Sequence, residues 1–133
     1  MRSVATIVFA AASARLCAST SYEDVLGRSD LLASQGNVRA ALELLLEASR
    51  QCTAGAKAAR IRLEIGAVSE RLGDEPRAIS SYWSAVKLAE AAGRPADSIQ
   101  LASLWNVGTI YVRLDQRDRL KPVLQQYCGA CVR

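Results

Sequence analysis

Two cysteines near the end of this 133-residue chain, Cys128 and Cys131, are the residues whose type and spacing best suit chemistry. Thiols in a Cys-X-X-Cys spacing can form a reversible disulfide or supply two ligands of a metal site. The chain contains no histidine, which excludes histidine-based catalysis and leaves Cys17 and Cys52 as the further soft ligands. Neither of these two cysteines has a paired spacing, so we predict no metal site and no cofactor.

The Cys128–Cys131 motif resembles the active site of thioredoxins, in which a strand delivers the first cysteine and a long helix follows it. Here a helical pattern precedes the motif and only two residues follow it. Thiol redox chemistry at Cys128 and Cys131 is therefore an alternative function, and a structural disulfide is a further interpretation of the pair. The sequence shows no carboxylate pair, nucleophile–base set or phosphate-binding loop, so we predict that the protein is not an enzyme.

The N-terminal stretch differs in composition from the rest of the chain. No acidic residue precedes Glu23, and most of the side chains before Ser19 are hydrophobic. We predict that residues 1–20 are a targeting segment or an extra N-terminal helix. The absence of acids and the stretch that begins at Arg15 favour a mitochondrial presequence. A secretory or periplasmic signal, cleaved after the small residues that end at Ala14, is the second interpretation.

Charge gives little support for a nucleic-acid partner. The chain has 17 basic and 13 acidic residues, a net charge of +4. Without Arg2 and Arg15 in the N-terminal segment the net charge is +2, and the remaining charges are interspersed. No uncharged apolar run reaches the roughly 18 to 20 residues that a membrane span needs, so we predict no membrane span.

The remainder of the sequence predicts an all-α protein. The composition is rich in small and helix-forming residues, with 23 Ala and 16 Leu. Glycines and polar caps divide residues 21–128 into about six helices, the first capped by Ser21. Pro122 predicts that the sixth helix is kinked or begins late, near Lys121. Residues 129–133 are predicted to form a C-terminal tail.

An internal repeat links these helices. Four residues recur 37 positions later: Gly36, Ala41, Leu45 and Ala48 match Gly73, Ala78, Tyr82 and Ala85. Four others recur 42 positions later: Leu63, Ile65, Gly66 and Leu72 match Trp105, Val107, Gly108 and Leu114. Glycine inside a helix costs about 1 kcal/mol relative to alanine, so Gly66 and Gly108 need a packing reason. We expect each of them to let a second helix approach closely.

This pattern resembles the tetratricopeptide repeat family, with the unit around Gly66, Ala78 and Tyr82 as its best match. The resemblance covers residues 21–127 as three helix pairs and implies an antiparallel helix-pair solenoid. The first unit has Arg28 and Ser29 where a small residue is expected, and the third has Leu120 where its second helix needs one.

The resemblance implies that the first helix of each pair lines a concave groove. The groove residues that it implies are Arg60, Glu64, Arg71, Trp105, Asn106 and Arg113. Trp105 near Asn106 would suit a peptide-binding patch, although Trp105 could instead pack against a neighbouring helix pair. Leu26 and Asp30 stand where chaperone-binding members carry a Lys and an Asn, so that ligand is not expected here.

These features together predict a non-catalytic interaction or scaffold protein, a small subunit or assembly factor of a larger complex. Its partners would be proteins, held by the concave groove and by the last helix. That helix carries Val123, Leu124 and Tyr127 and has no obvious capping helix after it. An organellar RNA-binding protein built from helical repeats is the third functional hypothesis.

Overall fold

A computed structural model describes residues 20–132, and every regular element in that range is helical. The elements are α1 (Thr20–Ser34), α2 (Val38–Gln51), α3 (Gly55–Arg71), α4 (Glu75–Ala92), a 3-10 turn (Arg94–Ala96), α5 (Asp97–Arg113) and α6 (Arg117–Cys131). The prediction of an all-α protein is confirmed. The predicted targeting segment lies outside the described residues except for Thr20, which begins α1.

The helices group into two compact units, and the repeat domain predicted over residues 21–128 spans both. The boundary falls between Thr53 and Ala54, in the loop that joins α2 to α3. In the first unit, α1 packs against α2. In the second unit, α3, α4, α5 and α6 pack in chain order, and α3 also reaches α5.

The helix ends follow the glycine and cap signals in the sequence. Gly73 has a φ of +74°, a left-handed conformation that glycine adopts without a steric penalty and that ends α3. Asp74 then caps α4, because its side chain accepts a hydrogen bond of 3.1 Å from the Arg77 backbone N–H. Ser21, expected as a cap, lies inside α1 instead.

Helix α6 departs from the prediction at both of its ends. It begins at Arg117, not near Lys121, and it continues through Gly129 to Cys131, into the predicted tail. Pro122 lies inside α6 and lacks the N–H that would bond to the carbonyl four residues earlier. The fully buried Val123, which belongs to the core of the second unit, offsets that loss by packing.

The core of the second unit is built from alanines at close contacts and larger side chains between them. Its buried members are Leu63, Ala78, Tyr82, Ala85, Val86, Leu104, Val107, Ile110, Tyr111 and Val123. The Tyr82 ring lies on the bare backbone of Gly66, where a Cβ atom would be 2.4 Å from Tyr82 Cε1. This close contact explains why a glycine stands at position 66 inside α3, since an alanine there would collide with the Tyr82 ring.

Candidate functional site

A polar network joins three helices of the second unit around the carboxylate of Glu70. The Tyr82 hydroxyl donates a hydrogen bond of 2.7 Å to Glu70 Oε1. Arg113 Nη2 lies 3.3 Å from Glu70 Oε2 and 3.0 Å from Glu75 Oε1. The network therefore connects the end of α3 to α4 and to the end of α5.

The electrostatics of this network are those of a structural cluster. Burial, followed by the neighbouring Glu70 carboxylate, raises the pKa of Tyr82 far above its ordinary value. The side chain of Asn106 acts on the pKa of the same hydroxyl in the opposite direction. Hydrogen bonds to Glu75 and Glu70 raise the pKa of Arg113. Tyr82 and Arg113 thus stay in their ordinary charge states at neutral pH, and neither is prepared to transfer a proton.

The structure does not bring the six groove residues implied by the resemblance together at one site. Arg60 Nε donates a hydrogen bond of 2.7 Å to Glu64 on the same helix. Asn106 and Arg113 join the Tyr82 and Glu70 network on the neighbouring helices. Arg71 is exposed at the end of α3.

Trp105 belongs to a different surface, an apolar groove between α5 and α6. The groove encloses about 340 Å³. Its lining residues are Leu104, Trp105, Gly108, Thr109, Val112, Leu120, Val123, Leu124 and Tyr127. A volume of this size is at the lower end of the range for small-molecule pockets and also accommodates one or two side chains of a partner.

The groove exposes more apolar surface than an ordinary helix face. Trp105, Val112 and Leu124 are 62%, 63% and 53% exposed, respectively. The ring of Trp105 lies 6.2 Å from that of Tyr127, centroid to centroid and tilted by 51°. Trp105 is therefore a surface residue that contacts α6 of its own helix pair. A contiguous apolar patch of this kind commonly marks an interaction surface.

A change in the repeat explains why this groove exists. Gly66 is equivalent to Gly108 by the longer repeat spacing, and the same spacing relates Tyr82 to Leu124. The Tyr82 ring covers Gly66, whereas a Cβ at Gly108 would meet Val123 at 3.5 Å and Leu120 at 3.7 Å. Leu120 stands 42 positions after Ala78, where the preceding repeat has that small residue. Its larger side chain fills the space where α5 and α6 cross at Gly108, and Leu124 remains largely exposed.

Charge is distributed unevenly along the groove. The first turns of α6 carry Arg117, Arg119 and Lys121 against the single acid Asp118, and residues 122–131 are uncharged. Arg117 lies seven positions before Leu124, and thus on the same helix face. Among the described residues that line the groove, none carries a charge. Arg117 is ion-paired with Asp115, which precedes α6, at 3.1 Å. This end of the groove therefore carries charges of both signs, and the other end is uncharged.

The two cysteines of the motif extend the groove face of α6 toward its C-terminus. Cys128 and Cys131 follow Leu124 and Tyr127, respectively, by one helical turn, and both are exposed free thiols. A disulfide between them, whether structural or reversible, stays a prediction. Cys52, by contrast, is buried.

Sequence reasoning placed Trp105 in a binding surface but did not connect it with α6. Leu120, Leu124 and Tyr127 recur at spacings of four and three, the signal of a single helix face. The carboxylates of Glu70 and Glu75, which hold Arg113, carry no comparable signal, since their partner lies about forty positions away.

Within residues 20–132, no helix is long and apolar enough to cross a membrane. The same range contains no group of three or more metal-ligating side chains. Comparison with family models, curated proteins and solved structures finds no match to this chain.

Proposed function

We propose that this chain is a non-catalytic protein-interaction module that binds a partner protein in the groove between α5 and α6. The observation that carries this proposal is the exposed apolar lining around Trp105, Val112 and Leu124. Exposed aromatic side chains beside a pocket are typical anchors of protein interfaces.

The repeat pattern supports a tetratricopeptide-like array as the scaffold of this module. The repeat spacing of 42 residues relates Gly66 to Gly108, and it also relates Tyr82 to Leu124. In such arrays each helix pair packs against its neighbours, and an exposed apolar groove such as the one between α5 and α6 is a surface that a partner can cover. On this basis we assign the protein to a larger complex, as a small subunit or an assembly factor.

A display selection tests the proposed function directly. A random peptide library is selected on the immobilised full chain and then counter-selected on the Trp105→Ala variant. We expect peptides whose binding is lost in that variant and kept in a Trp83→Phe variant, because Trp83 is half-buried away from the groove. If the peptides bind the wild-type and Trp105→Ala chains equally, the groove is not the binding surface.

Redox chemistry remains the second candidate, on the observation that Cys128 and Cys131 are exposed free thiols about one helical turn apart. Their position weakens this candidate. A thiolate is stabilised at a helix N-terminus, where the dipole is positive, whereas these residues lie at the C-terminal end of α6. If the Cys128→Ser, Cys131→Ser double variant keeps peptide binding but loses cellular function, the redox candidate gains over the interaction module.

The compartment stays open between the mitochondrial and the secretory or periplasmic interpretations. The N-terminal sequence of the natural protein, together with its intact mass before and after reduction, tests which of them holds.

A further inference from the structure

The C-terminal half of α6 is held to the second unit mainly by Tyr127. Val123 is the last buried residue of the helix. Beyond it, Tyr127 and Ala130 are half-buried, and the other side chains up to Cys131 are exposed. The Tyr127 ring lies 6.2 Å from that of Trp105, centroid to centroid, and both rings line the groove. The position of Tyr127 in the groove wall therefore depends on how well ordered the end of α6 is.

The last turn of α6 lacks features that stop a helix end from fraying. Residues 122–131 are uncharged, so no side chain of this turn offsets the negative end of the helix dipole. Gly129 lies inside the turn, where glycine is a poorer helix former than alanine. A Cβ at Gly129 would meet nothing within 4 Å, so this glycine, unlike Gly66, is not required by a close contact. It leaves the backbone of the turn free to adjust.

Cys128 and Cys131 lie in this turn as exposed free thiols, three positions apart on one helix face. Side chains at this spacing in an α-helix have Cβ atoms about 5 to 6 Å apart, whereas a disulfide needs about 3.5 to 4.5 Å. A turn that tightens toward a 3-10 helix closes this gap, because residues three positions apart are then aligned. Neither cysteine belongs to the core of the second unit, so the movement leaves that core in place.

We propose that Cys128 and Cys131 form a reversible disulfide that fixes the last turn of α6 and thereby holds Tyr127 against Trp105 in the groove wall. This inference rests on the proposed function, because it concerns the regulation of the same groove. The described structure, with both thiols free, is the reduced state. In the oxidised state the cross-link opposes fraying, so Tyr127 loses less conformational entropy when a partner binds.

A small-molecule disulfide is the oxidant that this reaction needs. One protein thiol, as its thiolate, attacks that disulfide, forms a mixed disulfide and releases one small thiol. The second protein thiolate then attacks the sulfur of the first cysteine and releases the second small thiol. Two electrons pass to the oxidant, and the two protons of the protein thiols end on the released thiols. A helix C-terminus does not stabilise a thiolate, so this position suits a slow switch better than a catalyst.

Hydrogen exchange on the full chain tests the disulfide itself. The chain is equilibrated with oxidised or reduced glutathione, and peptide mapping locates the link between Cys128 and Cys131 within one chain. We expect the amides of residues 129–131 to exchange at least about threefold more slowly in the oxidised form, because the cross-link opposes local opening. The Cys128→Ser, Cys131→Ser variant is the matched control, since any change that it shares comes from the other two cysteines.

A Gly129→Ala variant separates the order of the turn from the cross-link. Alanine favours the helix and meets no neighbour at this position. We therefore expect the reduced form of this variant to exchange more slowly in the last turn than the reduced wild type. The difference between its oxidised and reduced forms should be smaller than in the wild type.

Peptides from the display selection test the regulation of the groove. We expect them to bind the oxidised chain about two- to tenfold more tightly than the reduced chain, as ordering one side chain beforehand allows. The double-serine variant should bind them equally after both treatments.

The inference is overturned if oxidised glutathione yields no link, if the link joins only two copies, or if exchange is the same in both states. Equal peptide affinity in both states overturns the regulation while the proposed function stands. If no peptide depends on Trp105 in either state, the proposed function fails, whereas slower exchange in the oxidised form still supports the effect of the disulfide on α6.

Discussion

Replacing Gly66 with alanine should destabilise the second unit, although alanine is the better helix former. The helix propensity alone would favour alanine by about 1 kcal/mol. The new Cβ, however, would lie 2.4 Å from Cε1 and 2.6 Å from Cδ1 of Tyr82. Normal carbon–carbon contacts are about 3.5 to 4.0 Å, so the ring or the helix must move by roughly 1 Å.

Tyr82 has little freedom to make that movement. Its side chain is 1% exposed, and its hydroxyl is held by Glu70 at 2.7 Å. Overpacking a core of this kind costs about 1 to 3 kcal/mol, and a weakened hydrogen bond to a charged group adds about 1 kcal/mol. After the propensity gain is subtracted, we expect Gly66→Ala to lower the free energy of unfolding by about 1 to 3 kcal/mol.

Gly108→Ala is the matched control, because Gly108 occupies the equivalent position in the next repeat. Its added Cβ would make ordinary contacts of 3.5 Å and 3.7 Å with Val123 and Leu120. We therefore expect Gly108→Ala to raise the free energy of unfolding by up to about 1 kcal/mol. Urea denaturation followed by circular dichroism measures both variants.

A double-variant cycle isolates the contact between Gly66 and Tyr82. In a Tyr82→Leu background the ring is gone, so Gly66→Ala should cost less than it does in the wild type. The reasoning is refuted if Gly66→Ala is as stable as Gly108→Ala. It is refuted equally if the cost of Gly66→Ala is the same with and without the Tyr82 ring.

Three further predictions concern Tyr82, the terminal thiols and Pro122. Because the pKa of Tyr82 is raised in the folded state, stability should be intact below about pH 10 and fall above it. The slope should approach about 1.4 kcal/mol per pH unit, and Tyr82→Phe should reduce it in urea titrations at several pH values. Iodoacetamide without reductant should modify Cys128 and Cys131 in the folded protein, and replacing both with serine should change stability by less than about 0.5 kcal/mol. Pro122→Ala should raise the thermal midpoint, since the exposed Pro122 denies α6 one backbone hydrogen bond; an unchanged or lower midpoint would contradict this.

The sequence identified the helices and most of their limits because those signals are local. Gly73 and Asp74 specify the end of α3 and the start of α4 through their own backbone and side-chain preferences. The Gly66 signal was also readable, since an interior helical glycine has a known cost and thus implies a packing reason. The start of α6 could not be read from local signals in the same way. Pro122 suggested a late start near Lys121, but the helix begins at Arg117, because the burial of Val123 in the core outweighs the local effect of Pro122.

The candidate site required the tertiary structure. Sequence alone determined the all-α class, the equivalence of Gly66 with Gly108 and the candidate status of Trp105, since each depends on residue type and spacing along one chain. It did not determine that Leu120 would fill the crossing at Gly108 and leave Leu124 exposed. That outcome depends on how side-chain volumes on two helices fit together, and only their packing decides which surface stays open.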